Sequence, residues 1–187
     1  MKHYLDITLR PDPEFSPPML MSALFSKLHR GLVCLEAEDI GVSFPGYSIS
    51  PRSLGESMRL HSRAERLKEL MALNWLSGMH DHIQLGDIGD VPADAPHRQV
   101  RRVQPKTNAA RLRRRYIKRH QVSELEAAER IPDSVERSVS LPFVTVRSRS
   151  TGQSFCLFLK QGDVGVAPRA GVFSRYGLSA EATVPWF

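Results

Sequence analysis

The chain has 187 residues, 41% hydrophobic and 25% charged, which fits a soluble globular protein of one large domain or two small ones. Its 26 Lys and Arg outnumber 20 Asp and Glu, yet ten of the cations lie between Arg98 and His120, where no acid occurs. No apolar run approaches the ~20 residues of a membrane span, and the opening MKHYLDITLR is no signal peptide. Cys34 and Cys156, each among apolar neighbours, read as buried free thiols in a reducing cytoplasm rather than a disulfide or a metal site.

In chain order, His3–Arg10 alternates Tyr4, Asp6 and Thr8 against Leu5, Ile7 and Leu9, the pattern of a half-buried strand. Prolines end it, and Pro18 suits the first turn of a helix over Met19–Leu35, with Leu20, Leu24, Leu28 and Leu32 on one face. Ile40–Ser48 reads as a second strand bent at Pro45-Gly46, and Ser57–His61 as a third. Ser62 with Glu65 forms a capping box for a second helix, Arg63–Leu76, burying Leu67, Leu70, Met71 and Trp75. Ile83–Val91 is a fourth strand. This order predicts a ferredoxin-like unit, helices on one face of an antiparallel sheet, within an α+β chain. The charge balance changes across Asp90–Pro96, so the expected division is a ferredoxin-like domain at 1–94 and an RNA-binding domain at 95–187.

The second half opens with His97–Gln104 as a strand that carries Arg102 and Gln104 on one side. Thr107 caps a helix through His120, and at about 100° per residue Arg111, Arg114, Arg115, Lys118 and Arg119 share an arc of roughly 140°. Leu112 and Tyr116 sit beside that arc to dock the helix. Such like charges repel, so the helix calls for a polyanion. Ser123 with Glu126 caps a further helix; Ser138–Arg147 and Gln153–Gln161 are strands. A glycine-bearing loop follows over Gly162–Gly177, and Thr183–Phe187 closes a sheet.

Several residues carry two readings. His29, beside the leucine row, is either a helix-end histidine against the dipole or an acid–base group flanked by Lys27 and Arg30. Ser148 and Ser150, among Arg147 and Arg149, are turn residues or hydroxyls that grip a phosphate or a ribose. Phe155 is a core side chain or a base-stacking platform, and Tyr176 in the glycine loop is a packing tyrosine or part of a site. His80-Asp81-His82 lacks a third ligand for a metal, and no phosphate-loop pattern supports nucleotide hydrolysis.

Taken together, MKHYLDITLRP, KLHRGLV, RQVRRVQPKTNAARLRRRYIKRH, VRSRSTGQSFCLF and GVFSRYGLS with VPWF resemble, over the full length, the CRISPR-associated endoribonucleases of the type I-F (Ypest) subtype. The resemblance implies metal-independent, cofactor-free cutting of precursor CRISPR RNA at the 3′ base of a repeat hairpin, by attack of a 2′-hydroxyl. It implies His29 as general base, Ser148 as the group orienting the hydroxyl, Tyr176 as support for His29 and Ser150 as an auxiliary phosphate contact. Arg111, Arg114, Arg115, Lys118, Arg119 and His120 would line the RNA stem. Arg102 and Gln104 would read base edges at its foot, and Phe155 would stack on its last pair. Other subunits of a guide-RNA surveillance complex are the implied protein partners. From the residues alone, a non-catalytic RNA-binding module and a DNA-binding regulator stand beside the nuclease.

Overall fold

Alternation in His3–Leu9 buries Leu5, Ile7 and Leu9 on one side, and this segment forms β1, the strand on which the main sheet is laid. The computed structural model describes residues 1–104, 109–135, 139–148, 152–165 and 167–187. Their contacts fall into two units, Met1–Val103 with Leu141–Phe187, and Gln104–Ser140.

In the larger unit β1 is followed by α1 (Pro17–Cys34), whose first two positions are prolines that need no N–H there. Leu20, Leu24, Leu28 and Leu32 recur every fourth residue and are all buried, each stabilising by about 1.5–3 kcal/mol. Next come β2 (Gly41–Ser43), a small hairpin of β3 (Ser48–Ile49) and β4 (Arg52–Ser53), β5 (Ser57–Ser62), and α2 (Ala64–Ala72). Two further strands, β6 (Ile83–Leu85) and β7 (Gly89–Asp90), both pair antiparallel with β1. The sheet runs β2-β5-β1-β6 with every described pairing antiparallel, so the chain is α+β as its periodicities indicate.

The remaining strands are β8 (His97–Arg98), β9 (Val100–Val103), β10 (Phe143–Arg147), β11 (Ser154–Gln161) and β12 (Val184–Pro185). A second sheet is ordered β10-β11-β9, and β12 pairs with β8, the closure expected of the tail. Val144, Val146, Leu157 and Leu159 turn inward and join the core containing Leu5, Leu24 and Leu60. The Gln161 side chain donates to the Phe44 carbonyl at 2.8 Å, and the Tyr47 hydroxyl donates to the Leu159 carbonyl at 3.2 Å. On the polar face of β1, Arg59 grips Asp6 through two bonds of 2.7 and 2.8 Å and lies 4.1 Å from the centre of the Phe187 ring.

The smaller unit contains α3 (Ala109–His120) and α4 (Glu124–Arg130), with Ala109 and Ala127 buried. Ser123 caps α4 as expected, its hydroxyl accepting from Glu126 N at 3.2 Å. Thr107, the expected cap of α3, lies outside the described residues.

Several local expectations need correction, among them the strand expected over Ile83–Val91, which is two short ones, β6 and β7. Ser62 caps nothing: it ends β5, is buried, and its hydroxyl donates to the Asp39 carbonyl at 2.8 Å. Helix α2 stops at Ala72, because Asn74 takes φ 49° and turns the chain before Trp75. The strand expected over Ile40–Ser48 is interrupted where Tyr47 N bonds the Phe44 carbonyl at 3.1 Å. There Gly46 packs on Gly55, with room for no side chain at either position. Both cysteines are exposed rather than buried: Cys34 at the outer end of α1, Cys156 on the side of β11 opposite Leu157. No described helix is long and apolar enough to cross a membrane.

Candidate active site and nucleic-acid interface

His29 stands on α1 one residue past the buried Leu28 and five before the helix ends, so its ring is half-buried at the edge of the core. The loop that meets it is the turn Phe173–Leu178. Its Arg175 carbonyl lies 2.7 Å from His29 Nδ1. A carbonyl can only accept, so Nδ1 carries the proton and Nε2 of the neutral ring keeps its lone pair. Tyr176 stacks on the same imidazole at 3.9 Å between centres and 9° between planes. Behind Tyr176 lies Phe25, its ring 6.0 Å away and nearly parallel, itself fully buried and one helical turn before His29. The column Phe25–Tyr176–His29 fixes the ring plane, while the carbonyl fixes the tautomer.

That carbonyl had no sequence signal, since every residue has one. Phe25 did have one, because a residue four before His29 on a helix shares its face. His29 thus bonds the main chain of the 173–178 turn, and Tyr176 packs between its ring and Phe25.

Ser148 follows the last residue of β10 and is half-buried. Its N–H donates to the Gln153 carbonyl at 2.8 Å and its carbonyl accepts from Gly152 N at 2.9 Å, closing the β10–β11 hairpin. Strand β10 is itself held to α1, because Ser22 Oγ accepts from Thr145 N at 3.1 Å. Ser150 lies outside the described residues. Phe155, on β11 opposite Val146, is half-buried against the core, and the Arg102 guanidinium sits 5.5 Å from its ring centre. Arg102 Nε is buried with no hydrogen-bond partner among the described residues. Arg102 is on β9, whereas Gln104 is exposed beyond the strand and belongs to the smaller unit. The strand expected to carry both therefore ends before Gln104.

A cleft of about 1130 Å³ between the first turns of α1, the β3–β4 hairpin and β10 takes in neither His29 nor Ser148. His80-Asp81-His82 forms a single 3-10 turn, in which His82 Nδ1 is 2.7 Å from Asp12 Oδ2. The N–H groups of Phe15 and Glu14 bond the Asp12 carboxylate, the largest influences lowering its pKa, and His82 adds to them.

On α3 Arg111, Arg114, Arg115, Lys118, Arg119 and His120 are exposed, as is Ala110, while Leu112, Arg113, Tyr116 and Ile117 are half-buried, as the helical spacing requires. Arg113 is structural: it donates to the Ile131 carbonyl at 2.8 Å and pairs with Asp133 at 2.7 Å. Arg115, Lys118, Arg119 and His120 border a hollow of about 720 Å³ against Leu112, Tyr116 and Ile131. Among the described residues Arg115, Lys118 and Arg119 form no ion pair, so this face is an uncompensated cationic surface fit for phosphates.

A CRISPR-associated protein family, Cas_Csy4, matches residues 4–187. The chain is 54% identical, over the whole of both sequences, to a CRISPR-associated endonuclease Cas6/Csy4 of Pseudomonas aeruginosa (strain UCBPP-PA14). It is 46% identical, again over both whole sequences, to a CRISPR-associated endonuclease Cas6/Csy4 of Escherichia coli (strain UTI89 / UPEC). Agreement of this extent, end to end, makes the chain a member of the CRISPR-associated Cas_Csy4 family.

Proposed function

We propose that this chain is a metal-independent endoribonuclease that cuts precursor CRISPR RNA at the 3′ base of the repeat hairpin, generates guide RNAs and remains on its product. The relatives named as CRISPR-associated endonucleases support the reaction class. The observation that carries the mechanism is the 2.7 Å contact of His29 Nδ1 with the Arg175 carbonyl, which makes Nε2 the nitrogen that accepts a proton when the ring is neutral.

In this reading Nε2 takes the proton of the 2′-hydroxyl upstream of the cut, and the oxygen attacks the adjacent phosphorus. The bond to the 5′-oxygen breaks, that oxygen takes up a proton, and a 2′,3′-cyclic phosphate remains. The nucleophile belongs to the substrate, so the protein needs to align, deprotonate and hold charge, and the reaction asks for no metal. Ser148 orients the attacking hydroxyl, Ser150 adds a phosphate contact, and Tyr176 supports the base. Arg111, Arg114, Arg115, Lys118, Arg119 and His120 bind the stem, largely through phosphates, because an A-form major groove admits few side chains. Arg102 and Gln104 read a guanine and an adenine at the stem foot, and Phe155 stacks on its last pair.

The strand order β2-β5-β1-β6 supports a ferredoxin-like platform. The proposed domains are a ferredoxin-like domain at 1–94 and an RNA-binding domain at 95–187, and the protein acts in the cytoplasm with other subunits of a type I-F guide-RNA complex. Repeat RNA incubated in EDTA with wild type and with His29→Ala tests the reading. Wild type is expected to cut and the variant to bind without cutting. RNA left whole by wild type would return the chain to a non-catalytic RNA-binding module, and RNA cut normally by the variant would remove His29 as the base.

A further inference from the structure

We propose that Glu38 is a positioning residue for His29, acting through Arg175; this rests on His29 being the base. Glu38 lies between α1 and β2 and holds the Phe173–Leu178 turn at two points. Its carbonyl accepts from Phe173 N at 2.9 Å, and its carboxylate lies 3.3 Å from Arg175 Nη2. Val42 N donates to the Gly177 carbonyl at 2.9 Å, so the far end of the turn is tied to the same stretch of chain. Gly177 has φ 70° with Val42 3.2 Å from where a side chain would begin, so that end of the turn requires glycine. Ser174 N to the Leu178 carbonyl and Gly177 N to the Ser174 carbonyl, both 2.8 Å, close the turn internally.

The peptide plane between Arg175 and Tyr176, whose carbonyl lies 2.7 Å from His29 Nδ1, is held within the turn by one long bond, Tyr176 N to Ser174 Oγ at 3.4 Å. Rotation of that plane would withdraw the acceptor from Nδ1 and leave the rest of the turn in place. Glu38, by holding the Arg175 side chain, fixes the direction of the Cα on which that plane pivots. Arg175 Nη1 is buried with no hydrogen-bond partner among the described residues, so the Glu38 carboxylate at Nη2 anchors this guanidinium. Glu38 is 59% exposed and Arg175 35%, so the pair contributes little to overall stability. Its contribution is to the geometry of one carbonyl.

The test uses nitrogen-15 NMR of the His29 imidazole in the full RNA-free chain, with single-turnover cleavage and hairpin-RNA affinity measured alongside. Wild type is expected to show Nδ1 protonated and Nε2 bare. Glu38→Ala is expected to show mixed tautomers and a cleavage rate lower by about three- to tenfold, with RNA affinity and melting temperature unchanged. Glu38→Gln, which keeps an acceptor for Arg175, is expected to restore both the imidazole signature and the rate. A Glu38→Ala protein with the wild-type imidazole signature, or with the wild-type rate, would overturn the proposal, and so would loss of its fold, which would assign Glu38 to stability. A wild-type imidazole protonated at Nε2 would instead remove the base assignment, before any Glu38 variant is made.

Discussion

The turn around His29 and the outer face of α3 are built on opposite principles. His29 has its tautomer set by a carbonyl at 2.7 Å and its plane set by a stacked ring at 3.9 Å backed by the core. Along α3, Arg115, Lys118 and Arg119 are exposed, with no ion pair among the described residues. A base must present one nitrogen in one direction, so its freedom is removed before substrate arrives. A phosphate-binding face gains from charges left uncompensated, since the incoming polyanion then supplies the counter-charge and releases its own ions. Arg113 marks the border between these principles: it lies in the cationic run but holds Ile131 and Asp133.

This contrast can be broken from either side. His29→Ala should lower the cleavage rate by about 10²–10⁴-fold and leave RNA affinity intact, read by single-turnover kinetics and equilibrium binding. A matching loss of affinity would place His29 among the binding residues. Arg102→Ala should cost about 1–3 kcal/mol of binding and relax base preference at the stem foot, measured with hairpins altered there. Undiminished discrimination would remove Arg102 from that role.

Acid should distinguish the regions as well. His61 is fully buried on β5 with Nε2 2.8 Å from Ser43 Oγ, and burial pushes its pKa from 6.5 to about 3, whereas His120 on α3 is exposed. Below about 6.5 the unfolded chain takes up a proton that the folded chain refuses, so stability should fall as pH drops toward 3, by at most about 1.4 kcal/mol per unit. Burial lowers the pKa of His97 too, with the same sign. Urea unfolding at pH 7 and pH 5 checks this, and equal midpoints would contradict it.

Smaller effects sharpen the picture. Tyr176→Leu should lose the stack and about 0.5–1.5 kcal/mol of transition-state stabilisation, while Tyr176→Phe keeps the ring and nearly all the rate. Equal losses in the two variants would shift the role to the hydroxyl. Arg115→Ala should weaken RNA binding across sequences and flatten its salt slope by about one counterion; an unchanged slope would take Arg115 off the phosphates.

Much of the frame was legible because periodicity reports burial directly: the leucine row of α1, the alternation of β1 and the cationic arc of α3 stand where their spacing puts them. At Ser62 a long-range bond had displaced a local one. Ser62 has the right neighbour for a capping box, but Asp39, 23 residues earlier, takes its hydroxyl. The exposure of Cys156 was readable after all, since it alternates with Phe155 and Leu157, which face the core. His29 could be singled out as a candidate, but its tautomer depends on a main-chain carbonyl 146 residues away, and no side-chain pattern encodes that.

The most direct test of the central claim is cleavage of a repeat hairpin carrying one 2′-deoxy nucleotide immediately upstream of the cut. That RNA should bind as tightly as the all-ribose hairpin and remain whole, because the hydroxyl that Nε2 of His29 would deprotonate is gone. Cleavage of the deoxy-substituted hairpin at the ordinary rate would mean that another nucleophile breaks the chain and that His29 is not its base.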